Sequence, residues 1–212
     1  MSERDLIKNI IHDLGQDINE RLDTFYNFHF NNENGKRITR FEGWLKMELL
    51  YSMHKGCGIT DIELERPYPY DGRFSIPGSR EKFSNALIDL AYRTPKTDRD
   101  RYVCVELKVA NKIGPAIRGA IDDLYRIRAI NRDWDIRAVF AIAIYNHKSL
   151  IKSSKSSDFV IDNEKTSKYI EFCDFGSYRA CIIGWEGKPR DKGSVLAKDF
   201  RDWCDKLLVD YG

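Results

Sequence analysis

Three acids and one lysine stand where an apolar pattern would place none. The run VCVELKVA, residues 103–110, alternates as a β-strand does, so Val103, Val105, Leu107 and Val109 take one face. Cys104, Glu106, Lys108 and Ala110 take the other, which therefore presents an acid and a base side by side. A second apolar run, LIDLA at 87–91, is interrupted by Asp89, which alternation puts on the face of Leu87 and Ala91, opposite Ile88 and Leu90. The connection TPKTDRD has hairpin length and makes the two runs antiparallel neighbours, so Asp89 can meet Glu106 and Lys108 on one side of a sheet. A lone buried carboxylate would cost several kcal/mol. Two carboxylates and an ammonium so placed must offset one another or hold a cation, and a hard divalent metal suits oxygen donors.

The third acid comes from a helix predicted over 39–55. On a helical wheel Glu48 falls between Trp44 and Ser52, with Phe41 and Leu45 close by, in the middle of the apolar face. Glu42 lies to one side near Lys46, where an i,i+4 salt bridge accounts for it. Simpler readings compete for each residue taken alone: Glu106 and Lys108 as a salt bridge on a half-solvated sheet, Asp89 as an acid bonded to turn amides. The conjunction with Glu48 favours a cation, because three acids and a lysine on one patch make a poor purely structural design.

The elements that must position these residues read in order. Residues 4–28 space Leu6, Ile7, Ile10, Ile11, Leu14, Ile18, Leu22 and Phe25 as one long amphipathic helix, which docks on the core or forms a dimer seam. After the turn NNENGKR and the helix over 39–55 comes a short strand at 61–66. The segment RPYPYDGRFSIPGSREK follows, an irregular surface excursion by its prolines and glycines. Strands at 85–93 and 101–110 precede a helix over 115–131, opened by Gly114 and Pro115 and carrying the stripe Ile117, Ala120, Ile121, Leu124 and Ile127. IRAVFAIAIY, 136–145, is apolar without alternation, as a strand covered on both faces is. A polar connection beginning HKSLIKSSKSSD, a hairpin at 168–173 and 178–184, and a closing helix over 194–210 complete the chain.

Asp89, followed on the next strand by the triplet Glu106-Leu107-Lys108, with Glu48 on a preceding helix and the order α, β, β, β, α, β over 39–145, resembles the PD-(D/E)XK nuclease superfamily. Ile88 stands where that family's pattern has proline, a residue that ligates nothing. The resemblance implies an α/β, restriction endonuclease-like fold, with a central mixed sheet flanked by helices, plus an N-terminal helix and a C-terminal β-hairpin and helix. It implies a single domain over 1–212, with its core at 39–145, a helical extension at 1–38 and an elaboration at 146–212. It further implies Mg²⁺, with Mn²⁺ as substitute, held by Asp89, Glu106 and the carbonyl of Leu107, with Glu48 acting through a bound water or a second cation. Such a metal would polarise a phosphodiester and acidify a water that Lys108 orients. The expected activity is metal-dependent nuclease action on DNA, with RNA as the other nucleic acid. The alternative is an inactive nucleic-acid-binding or protein-interaction module on the same scaffold. Cutting both strands of a duplex calls for two sites, hence the expectation of a homodimer, and the expected source is a bacterial or phage genome.

Composition sets the remaining bounds. With 42% hydrophobic and 32% charged residues in 212, the chain is an ordinary globular sequence able to bury a core. No apolar stretch approaches the ~20 residues that cross a bilayer, and the N-terminal residues carry no secretory pattern, so the expectation is a cytoplasmic protein with no membrane partner. Five cysteines without a CxxC pair argue against disulfides and thiolate zinc. The four histidines show no metal or nucleophile spacing, and no phosphate-cradling GxxxxGK[ST] loop is present. A net charge of +2 gives no global nucleic-acid signal. Locally, Arg93 and Lys96 crowd one turn, Arg118 lies on the polar side of the helix after the triplet, and Arg73 sits among Tyr68, Tyr70 and Phe74; these are the candidate nucleic-acid contacts. Solvated surface, a salt bridge from Arg118 to Asp122, and packing of the excursion are the respective structural readings.

Overall fold

The computed structural model describes residues 2–30, 41–67, 87–94, 101–127, 136–146 and 170–186. Its helices are α1 (Glu3–Asp17), α2 (Asn19–Phe30), α3 (Phe41–Cys57) and α4 (Ile113–Ile127). Its strands are β1 (Asp61–Pro67), β2 (Leu87–Arg93), β3 (Tyr102–Ala110), β4 (Ile136–Tyr145), β5 (Ile170–Phe175) and β6 (Tyr178–Glu186). The strands form one mixed sheet in the order β1-β2-β3-β4-β6-β5.

The sheet's two faces are covered by different helices, giving three layers. Leu90, Tyr92, Val103, Val105, Leu107, Phe140 and Ile142 face α1, α2 and α3. Cys104, Val139, Ala141, Ala143 and Ile183 face the stripe Ala116, Ile117, Ala120, Ile121 and Leu124 of α4. β4 lies between parallel β3 and antiparallel β6 and is buried at every residue but Arg137, as its apolar run without alternation requires. The order α3, β1, β2, β3, α4, β4 follows the sequence expectation, and β2 and β3 pair antiparallel through Leu90↔Val105, Ala91↔Cys104 and Tyr92↔Val103.

Two expectations change. The long N-terminal helix is two helices, broken at Ile18, whose φ of −107° and ψ of 8° leave the helical region. The β5–β6 turn causes the break. Asn19 Oδ1 accepts from the Ser177 amide at 2.7 Å and the Ser177 hydroxyl at 3.1 Å. Gly15 lies so close that a Cβ there would stand 2.6 Å from the backbone of Phe175 and Gly176. Tertiary contact therefore overrides an uninterrupted helical pattern. The apolar stripe Ile7, Ile10, Ile11, Leu14, Ile18 and Leu22 is buried against the chain's own sheet, at most 3% exposed, so of the two expected uses of this face it is docking on the core, not a dimer seam, that the structure has.

The fourth helix begins at Ile113 rather than 115, and its expected residues 128–131 lie outside the described residues. So do nearly all of the excursion after Pro67, the polar connection after 146, and the closing helix over 194–210. The C-terminal hairpin is present at Ile170–Phe175 and Tyr178–Glu186. Among the described residues no helix is long and apolar enough to cross a membrane.

Candidate active site at the fork of β2 and β3

The paired register of β2 and β3 ends at Leu90↔Val105, whereas β3 continues alongside β4 to Ala110. Beyond Val105 the β2-facing edge of β3 has no strand partner among the described residues, and its amides need other acceptors. Two carboxylates supply them. Asp89 Oδ2 accepts from the Leu107 amide at 2.8 Å, and Glu42 Oε1 accepts from the Val109 amide at 3.0 Å.

Asp89 reaches that position because β2 loses its alternation there. Leu90 and Tyr92 pack in the layer of α1 and α3, while Ala91 packs in that of α4, as period two demands. Ile88, expected beside Leu90, packs instead with Ala91. The slip falls at Asp89. Across from it, Glu65 adopts a positive φ of 50°, and the β1–β2 register passes from Leu64↔Leu90 to Arg66↔Ile88 without a Glu65 pair. A non-glycine residue in that region costs on the order of 1–2 kcal/mol, held here by the flanking ladder.

The Asp89 carboxylate is engaged on both oxygens, because Lys46 Nζ stands 3.0 Å from Oδ1 and 3.3 Å from Glu65 Oε1. Burial works against the Lys46 ammonium, but the hydrogen bond and charge of Asp89, reinforced by Glu65, raise it above its ordinary 10.5. Lys46 is thus a full cation seated on the acid expected to bind a metal. It does not pair with Glu42, the i,i+4 partner the sequence suggested.

Glu106, one residue before the amide that Asp89 engages, is 8% exposed, and Leu107 is 1% exposed. Glu106 and Asp123 are the buried charged residues among those described. Lys108 extends along α4, its stem over Gly119 and its Nζ 3.0 Å from Asp123 Oδ2.

Glu48 is a correction to the expected constellation. It points to α2, where Arg21 stands 3.4 Å from its carboxylate, while the charged partners of the other expected site residues are Lys46 for Asp89 and Asp123 for Lys108, so the four do not form one contact cluster. The apolar side of α3 is two sectors rather than one. Trp44 stacks on Phe25 of α2 at 4.5 Å between ring centroids, and Glu48 belongs to that sector. Leu45, Leu49 and Met53 face the core, and Glu42 and Lys46 flank them on the side that meets β2 and β3. The helix acid near the triplet is therefore Glu42.

The candidate nucleic-acid contacts divide. Arg93 is partly covered: its Nε lies 2.6 Å from Asp61 Oδ2 and its guanidinium 4.4 Å over the Tyr102 ring. Arg66 covers the same ring at 3.8 Å. Arg118 is exposed on α4. Lys96 and Arg73 lie outside the described residues.

The donors at the fork are all oxygen, as a hard cation requires, and Lys46 marks the place where positive charge is already favourable. No group of three His, Cys, Asp or Glu side chains is drawn together in metal-holding geometry among the described residues. No protein-family model, curated protein or solved structure matches the chain.

Proposed function

We propose that the chain is a metal-dependent nuclease with a restriction endonuclease-like core, hydrolysing phosphodiester bonds in DNA. The observation that carries this reading is the Asp89 carboxylate bonded to the Leu107 amide, inside the triplet Glu106-Leu107-Lys108, where β2 and β3 part. The succession α3, β1, β2, β3, α4, β4 around it supports the same reading.

In this account Asp89 and Glu106 hold Mg²⁺ or Mn²⁺, and the carbonyl of Leu107 adds a ligand, since a strand residue that turns its amide to one edge turns its carbonyl there too. Glu42 takes the role first given to Glu48. A divalent ion so held supplies Lewis acidity to a phosphoryl oxygen and lowers the pKa of a water. Lys46, which now holds Asp89 Oδ1, would have to release it to a cation bound there. Lys108 offsets charge that grows on the phosphoryl oxygens and orients the attacking water. Of the expected contacts, Arg118 is exposed on α4 and open to a phosphate backbone.

A second reading is favoured by one observation. Lys46 on Asp89 and Lys108 on Asp123 give each of these two acids a cationic partner without any metal, as suits an inactive nucleic-acid-binding or protein-interaction module on the same scaffold. Incubation of supercoiled plasmid, linear duplex and single-stranded DNA and RNA with Mg²⁺ or Mn²⁺ separates the two. The nuclease reading expects cleavage by the wild type and loss of it in Lys108→Ala and Asp89→Asn. Equal inertness of wild type and variants on every substrate favours the module.

A further inference from the structure

Asp123 has no place in the sequence-level constellation. It lies on α4 three residues after Ala120 and seven after Ala116, on the face that packs against the sheet, and it is 1% exposed. A carboxylate buried among alanine, isoleucine and leucine is retained only where something charged or hydrogen-bonding meets it. Lys108 meets it, with Nζ 3.0 Å from Oδ2 and a lysine side chain still 29% exposed. The ammonium is gripped from the helix side while part of the side chain stays open to solvent.

Gly119, one helical turn before Asp123, makes the grip possible. A Cβ at Gly119 would stand 2.8 Å from Lys108 Cγ and 3.0 Å from Cδ, so the lysine's stem lies in the groove that the missing side chain leaves. Two residues of α4 thus act on one lysine, the first by giving its stem a track and the second by fixing its end. A lysine on a four-carbon stem has several rotamers of similar energy, and a site that uses its charge must remove that freedom beforehand.

We propose that Asp123 is a positioning residue for Lys108: its buried carboxylate, together with the groove at Gly119, fixes the ammonium on the α4 side of β3 before substrate arrives. The proposal rests on the nuclease reading. Asp123 does not touch the reacting phosphate; it acts through Lys108. A purely structural ion pair would affect folding stability without a selective effect on turnover.

Two variants separate these roles. Asp123→Asn keeps the shape and removes the charge. Gly119→Ala puts a better helix former into α4 and so does not lower its helical propensity, yet it displaces the Lys108 stem. Both are expected to fold, shown by thermal melts. Both are expected to leave KM for DNA within about twofold while kcat falls at least about tenfold, toward the roughly 10²–10³ lost with a preorganised charge. Amine labelling followed by mass spectrometry gives an activity-independent readout, in which Lys108 reacts more slowly in the wild type than in Asp123→Asn. Unchanged kcat in both folded variants, or unchanged Lys108 labelling in Asp123→Asn, overturns the positioning role. A wild type inert on every nucleic acid overturns the nuclease reading, and the catalytic purpose of Asp123 falls with it even if labelling reports the ion pair.

Discussion

Replacing Lys46 by methionine should tighten divalent-metal binding, although it removes an ion pair. Lys46 Nζ sits 3.0 Å from Asp89 Oδ1, with side-chain exposures of 15% and 22%, so the pair is better shielded than a surface salt bridge. Exposed pairs contribute ~0–1 kcal/mol, whereas hydrogen bonds to charged groups in more shielded settings contribute ~1.5–3 kcal/mol. A metal that needs Asp89 must first displace Lys46 and forgo that interaction. Since about 1.4 kcal/mol is tenfold in an equilibrium constant, Lys46→Met should lower the dissociation constant for Mn²⁺ by roughly 10- to 100-fold. The same variant leaves the Asp89 carboxylate with the Leu107 amide as its remaining described partner, so the metal-free protein should lose about 1–3 kcal/mol of stability. Calorimetric titration with Mn²⁺ reads the first effect and urea unfolding the second. Unchanged or weakened Mn²⁺ binding in a folded Lys46→Met protein would show that Lys46 and the metal do not share Asp89, and the reasoning would be wrong.

Gly15→Ala drives a methyl group to 2.6 Å from the Phe175 and Gly176 backbone and should destabilise by at least ~1–3 kcal/mol in urea unfolding, although alanine favours the helix; a gain in stability would contradict the contact. In a Cys204→Ser background, a thiol reagent at pH 8 should modify exposed Cys57 first. Cys104, Cys173 and Cys181 are buried, with burial pushing the Cys173 thiol up to about 12 and the Cys104 and Cys181 thiols well above their ordinary value, so rapid labelling of more than one site before unfolding would count against the packing. The Glu171 hydrogen bond raises the Lys8 ammonium above its ordinary 10.5 in the folded chain, against slight desolvation. Its contribution is therefore complete below 10.5 and is lost as pH rises through the folded value. With the lysine 41% exposed it is worth at most ~0.2–1 kcal/mol, so the stabilities of wild type and Lys8→Met should differ slightly at pH 8 and converge above the folded pKa.

The core was legible where one physical constraint acts on a segment at a time. The apolar run of β4, without alternation, announces burial on both faces, and the short connection between β2 and β3 makes them antiparallel. The acids were harder because their placement depends on partners distant in sequence. A helical wheel treats the apolar side of α3 as one face. The stacking of Trp44 on Phe25 divides it, sending Glu48 to Arg21 and leaving Glu42 for the Val109 amide. Strict alternation put Ile88 beside Leu90, but the chain slips at Asp89, opposite a residue of positive φ that no composition rule marks. Asp123 was overlooked beside the exposed Asp122, although its spacing from Ala116 and Ala120 places it on the buried face of α4. The break at Ile18 has no local signal, since it arises from Asn19 capping a turn more than 150 residues away.

A hard cation held where β2 and β3 part is what the proposed chemistry requires. Electron paramagnetic resonance of free Mn²⁺, titrated with wild type, Asp89→Asn, Glu42→Gln and Glu48→Gln, measures that directly. Loss of the free-ion signal is expected with the wild type and Glu48→Gln, weaker loss with Glu42→Gln, and none with Asp89→Asn. A wild type that leaves the signal untouched, or an Asp89→Asn variant that binds as the wild type does, contradicts it.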